Sequence, residues 1–189
     1  MKSSPILFTP DNAQKVHDGN KTQTRRIIKP QPLTVLSLYF RNRPWQRGMR
    51  LWVREAWRLM ERERDGEDGI CYRADLSVRV MRNTVLSLQQ WGTAYANGKH
   101  GNNWRPSIYM PKWACRTWLE LTSVRAERVQ AITEPDAIAE GCTPGSGNTD
   151  RSLSTAVYEF RHLWESIHGH GSWDANPWVW VLAFKRVQP

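Results

Sequence analysis

A mixed α+β fold, a small twisted β-barrel with a few short helices across its ends, is the class this 189-residue sequence predicts. Three observations carry that expectation. Residues 50–57 alternate so that Leu51, Val53, Glu55 and Trp57 share one face while Arg50, Trp52 and Arg54 share the other, which is the period of a strand. Residues 178–184 are apolar on both faces, as a central strand requires. Residues 133–140 and 154–168 combine hydroxyl caps with apolar residues at helical spacing.

The elements follow in order. Residues 5–8 read as a first strand, and Thr9-Pro10-Asp11-Asn12 starts a helix with a hydroxyl cap, a proline at its first position and polar first-turn residues. That helix ends near Asp18, with Gly19 as its stop. The next residues are cationic and too polar for half of a core strand. Lys29-Pro30-Gln31-Pro32 breaks regular structure, and residues 33–47 form a basic connection. After the strand at 50–57 comes a charged loop at 61–69, then a short strand at 70–74 that completes a hairpin. Residues 75–103 read as a polar insertion, partly helical from Ser77 to Ala96 and then mobile.

Regular structure resumes at 107–110 and in a long bent strand within 114–129. A short helix at 133–140 has Thr133 as its cap, Asp136 three residues later and Gly141 as its stop. Residues 142–152 make a flexible loop, and the helix at 154–168 sets Val157, Phe160, Trp164 and Ile167 in one core-facing stripe. No repeat or linker separates two units, so one domain over 1–189 is expected, with the insertion at about 75–103.

Composition narrows the classes of function. No apolar run reaches the roughly 18 residues of a membrane span, and the N-terminus lacks signal-peptide character, which points to a cytoplasmic protein. Three widely spaced cysteines, Cys71, Cys115 and Cys142, suit neither a disulfide framework nor a zinc cluster. His168-Gly169-His170 reads as a polar loop after a helix, so no metal and no cofactor is expected. Between Lys15 and Arg62 there are twelve lysines and arginines against three acids, so the whole net charge of +9 lies there. Such clustering fits a polyanion partner or a solvated basic face.

The segment Gly19-Asn20-Lys21-Thr22-Gln23-Thr24-Arg25-Arg26 has the form Gly-x-Lys-x-x-x-x-Arg. In that form it resembles the signature of the ASCH superfamily, RNA-associated β-barrels related in fold to PUA domains. The commoner signature has Glu where this chain has Thr24. In having Lys-Thr-x-Thr there, the chain is similar to small bacterial ASCH proteins that act as N4-acetylcytidine amidohydrolases. The resemblance implies catalytic roles for Lys21 and Thr24, and for Glu140 as the matching glutamate on the 133–140 helix. Longer ASCH-type proteins of phages and prophages resemble the chain over residues 19–32, 51–57, 105–110 and 173–181. The implied fold is PUA-like.

These residue types suit amide hydrolysis, which needs a nucleophile or activated water and groups that take and return a proton. The competing reading makes Lys21 and Glu140 an ordinary ion pair and Thr24 a backbone partner. Arg25, Arg26, Arg54, Glu55 and Trp57 are candidate contacts to a nucleoside or a single-stranded nucleic acid, RNA rather than DNA. Of these, Glu55 either lines a pocket or pairs with an arginine, and Trp52 and Trp57 either stack on bases or fill the core. The leading reading is therefore a nucleoside- or nucleic-acid-recognising protein with amidohydrolase activity. A non-catalytic RNA-binding module, a nuclease and a phage morphogenesis or host-interaction factor stand as alternatives.

Overall fold

The computed structural model describes residues 3–31, 44–60, 69–81, 89, 103–145 and 155–188. In chain order the elements are β1 (Ser3–Leu7), α1 (Pro10–His17), β2 (Gln23–Ile27), β3 (Arg50–Arg54), β4 (Trp57–Met60), β5 (Gly69–Tyr72), β6 (Val78–Val80), β7 (Trp118–Arg128), α2 (Glu134–Ala139), α3 (Ala156–His168) and β8 (Trp178–Val187). The chain divides into two compact units. The first comprises Met1–Ser3, Lys15–Leu51 and Leu119–Pro189, the second Ser4–Gln14 and Trp52–Trp118.

In the first unit β8 lies between β7 and β2. Its apolar character on both faces has a plain cause, since Val179, Trp180, Val181 and Leu182 are all buried. β2 runs antiparallel to β8, with Thr24 opposite Leu182 and Arg25 opposite Val181. Helices α2 and α3 supply Ala137, Ala156, Phe160 and Trp164 to a core that also holds Val179, Val181 and Trp173. Burying each large apolar side chain contributes about 1.5–3 kcal/mol. Ile167 leaves the expected stripe and is 47% exposed, because the last turn of α3 runs past this core.

Caps fix the helix ends. Thr133 accepts from the Asp136 N–H and Thr155 from the Tyr158 N–H, so each hydroxyl satisfies a first-turn donor. The Glu134 carboxylate accepts from the N–H groups of Ala156 and Val157, which ties the start of α2 to the start of α3.

In the second unit β5 lies between β4 and β6, pairing Trp57 with Tyr72 and Cys71 with Val78. The expected hairpin is therefore present. The expected strand at 50–57 is broken, because Glu55 and Ala56 separate β3 from β4. Two 3-10 turns, Ser107–Tyr109 and Lys112–Ala114, replace extended structure at 107–110 and the start of the 114–129 run. The expected helix from Ser77 gives way to β6, whose N–H and C=O groups complete the ladder with β5. The rest of that expected helix, like most of the connection at 33–47 and the loops at 61–69 and 142–152, falls outside the described residues.

Among the described residues the strands form open sheets and no closed barrel. The reason is topological: β2 ends its sheet with β8 as its one neighbour there, and β4 and β6 are the two ends of theirs. No helix of the described residues is long and apolar enough to cross a membrane.

Candidate functional site

Gly19 ends α1 in the left-handed region at φ +82°, a conformation glycine adopts without a Cβ clash, and turns the chain into β2. The end of α2 docks on this turn. Three successive carbonyls there accept hydrogen bonds from it: Ala139 from the Thr22 N–H at 2.8 Å, Glu140 from Lys21 Nζ at 2.7 Å and Gly141 from Lys15 Nζ at 2.8 Å. These carbonyls lack partners within the helix, and the lysines meet the negative end of its dipole. Gly141 is held at φ +86°, and a Cβ there would stand 3.0 Å from Lys15 Cδ and 3.3 Å from Lys21 Cβ. Any other residue would be strained at this φ and would press on both lysines.

The docking brings Lys21 against a residue 119 positions away. Lys21 Nζ lies 2.6 Å from Glu140 Oε2, and both residues are almost fully enclosed, at 3% and 2% exposure. The other oxygen, Oε1, accepts from Arg25 NH1 at 3.1 Å. Arg25 NH2 donates in turn to Glu127 and to Asp136, the latter at 3.0 Å. Arg125 bonds the same two acids, to Glu127 at 3.0 Å and to Asp136 at 2.6 Å. Three cations and three carboxylates thus form one connected network, whose formal charges balance.

Three members of the network are perturbed: Lys21 and Asp136 are lowered and Arg125 is raised. Burial lowers the Lys21 pKa, and Arg26 adds in the same direction, while the charge and hydrogen bond of Glu140 pull it upward without reversing the net fall. Burial likewise lowers Arg26, with Glu140 opposing. Among the described residues no group of three His, Cys, Asp or Glu side chains could hold a metal ion.

The strand itself corrects the sequence reading. The octapeptide is polar, yet its second half enters β2, and Gln23, Thr24 and Arg25 are buried there. A polar strand can be buried because Glu127, Asp136 and Glu140 arrive from far along the chain to pair its cation. Arg25 therefore spends NH1 and NH2 on carboxylates rather than facing outward. Thr24 is equally enclosed, but strand alternation sends its side chain from β2 on the face opposite Gln23 and Arg25. Arg26 shares that face and is half-buried.

Arg54, Glu55 and Trp57 belong to the second unit. Glu55 is buried and accepts two bonds from Arg116, at 2.9 and 2.8 Å, so it pairs with an arginine. The N–H of Glu55 donates to Met110 Sδ. Trp57 is wholly buried among Leu59, Ile70, Tyr72, Met110 and Ala114, and Trp52 is buried as well. Neither ring has an open face for a base, because both fill core space. Arg54 is half-buried with its guanidinium 4.6 Å from the Trp52 ring.

Glu127, Asp136 and Arg125 escaped the sequence reading. One signal was present for two of them, since Arg125 and Glu127 continue the parity of the buried Leu119 and Leu121 along β7, turning an apolar face ionic. Asp136 was read only as part of a helix cap.

No protein-family model matches the chain, and no curated protein matches it. Among solved structures it is similar to a protein from Enterococcus faecalis carrying the family name DUF984, with 10% identity and a TM-score of 0.44, over 99% of this chain and 77% of that one. It is also similar to an ASCH domain from Lactobacillus crispatus, with 14% identity and a TM-score of 0.39, over 98% of this chain and 79% of that one.

Proposed function

We propose that this chain is an ASCH-type module that recognises a nucleoside or the bases of single-stranded nucleic acid, and that it hydrolyses the N4-acetyl amide of N4-acetylcytidine. The observation that carries the reading is the enclosed contact of 2.6 Å between Lys21 and Glu140, in which burial favours the neutral amine. A lowered lysine beside a carboxylate is a proton-transfer couple. In the proposed step Lys21 takes a proton from a water, whose oxygen adds to the acetyl carbon. Glu140 relays the proton to the departing N4 as the C–N bond breaks, giving cytidine and acetate. Such positioned proton transfer contributes about 10²–10⁴-fold to a rate.

A non-catalytic binding module is the second reading. It is favoured by the completeness of the network, in which Glu140 already has a cation on each oxygen. The test separates the two. Incubation with N4-acetylcytidine and a chelator, across about pH 6 to 9, should release cytidine, and affinity for short single-stranded RNA should fall steeply with salt. RNA affinity without cytidine release supports the binding module alone. The absence of both cytidine release and RNA affinity would remove both readings.

A further inference from the structure

We infer that Arg25 is a positioning residue for the Lys21–Glu140 pair, holding Glu140 Oε1 so that Oε2 is turned to the lysine. The catalytic half of this inference rests on the proposed hydrolysis; the geometric half does not. Arg25 is 3% exposed, and its planar fork reaches three carboxylates, with NH1 on Glu140 and NH2 on both Glu127 and Asp136. A lysine cannot span them, having one compact ammonium in place of a rigid fork. The guanidinium is itself fixed, because Glu127 and Asp136 are held from outside by Arg125, whose NH1 also donates to Gln23 Oε1 at 3.3 Å. The Phe160 ring lies 5.5 Å from the Arg25 guanidinium carbon.

One oxygen of Glu140 is thereby committed to an immobile donor. The other then faces Lys21 in a single orientation, which a proton relay requires. Lys21 is surrounded by charge from every side. Arg25 and Arg26 come from β2, Lys15 from α1, Arg125 and Glu127 from β7, Asp136 from α2, and Glu140 with Cys142 from the turn after α2, where Glu159 of α3 also acts on Cys142. Within this set Arg25 is a cation that competes with Lys21 for the same carboxylate. Its removal should leave Glu140 to the lysine alone and raise the pH at which Lys21 titrates.

The experiment is a ¹⁵N NMR titration of the lysine ammonium groups in the intact protein, Lys21 being identified by its absence from Lys21→Met. It is paired with kcat and KM for N4-acetylcytidine. In Arg25→Gln the Lys21 titration should move up by about one pH unit, the usual effect of one nearby charge. The kcat should fall by about 10–100-fold while KM changes little, and Arg25→Lys should not restore it. Should Arg25→Gln fail to fold, Arg125→Gln, at a side chain 41% exposed, removes the outer cation from Glu127 and Asp136, draws Arg25 toward them and should shift Lys21 the same way by a smaller amount. An unmoved Lys21 titration in a folded variant overturns the inference. A shifted titration in a protein with no turnover retires the hydrolase reading and leaves the positioning role standing.

Discussion

Among the described residues each unit encloses one glutamate, and the two are satisfied in different ways. In the second unit Glu55 takes both bonds from one arginine, Arg116, which also bonds Asp75 at 2.7 Å and lies 4.1 Å from the Tyr72 ring. Burial pulls Arg116 down, but the bonds and charges of Glu55 and Asp75 outweigh it and raise its pKa. Arg116 and Asp75 are thereby held in their charged forms. In the first unit Glu140 divides its oxygens between Lys21 and Arg25, and the lysine is lowered rather than raised. A bidentate pair fixes structure, whereas in the proposed reaction a divided carboxylate beside a lowered amine carries the proton.

The largest effect that tests this contrast is on stability. Arg116→Met should cost about 3–5 kcal/mol in denaturant unfolding, because it leaves Glu55 buried without its cation. Lys21→Met should cost less, about 1–2 kcal/mol, since Arg25 still bonds Glu140. Equal losses would erase the distinction. Acid titration comes next. Burial raises Asp75, but hydrogen bonds from Arg116 and Ser77 outweigh it and lower the carboxyl from 3.8 to about 2. Its folded-state pKa lies below its unfolded value, so its contribution is present above about 4 and disappears as pH falls through about 2. Comparing acid unfolding of wild type and Asp75→Asn should show this limb only in the wild type.

Smaller effects follow on the surface and at the thiols. If Arg54 contacts a phosphate, Arg54→Gln should reduce the salt slope of RNA binding by about one, and an unchanged slope would assign it to packing on Trp52. Burial pushes the Cys115 and Cys142 thiols up to about 11. Both should react with a disulfide reagent at pH 8, an ordinary assay condition, only after denaturation, and a fast native reaction at either would show its unit opening locally.

Local chemistry was legible in the sequence where the signal was local. The Thr133 cap, the Gly19 and Gly141 stops, the β4–β5 hairpin and the doubly apolar β8 each rest on neighbours within a few residues. The octapeptide was misread as too polar for a strand because its partners lie 102 to 119 residues away, where no window on the sequence reaches. Separation also hid which arginine pairs with Glu55, since Arg116 lies 61 residues on, although a buried carboxylate in an alternating strand announced that it needed a cation. Eleven tryptophans suggested a base-stacking wall, but Trp52 and Trp57 turned inward, because alternation gives parity and not which face is covered.

The most direct measurement compares cytidine release from N4-acetylcytidine by Glu140→Gln and Glu55→Gln, each normalised to its folded fraction. The account predicts a loss of about 100-fold or more for Glu140→Gln and a rate near wild type for Glu55→Gln, since the first carboxylate moves a proton and the second holds a strand end. Equal rates in the two variants, or no release by the folded wild-type protein, would contradict it.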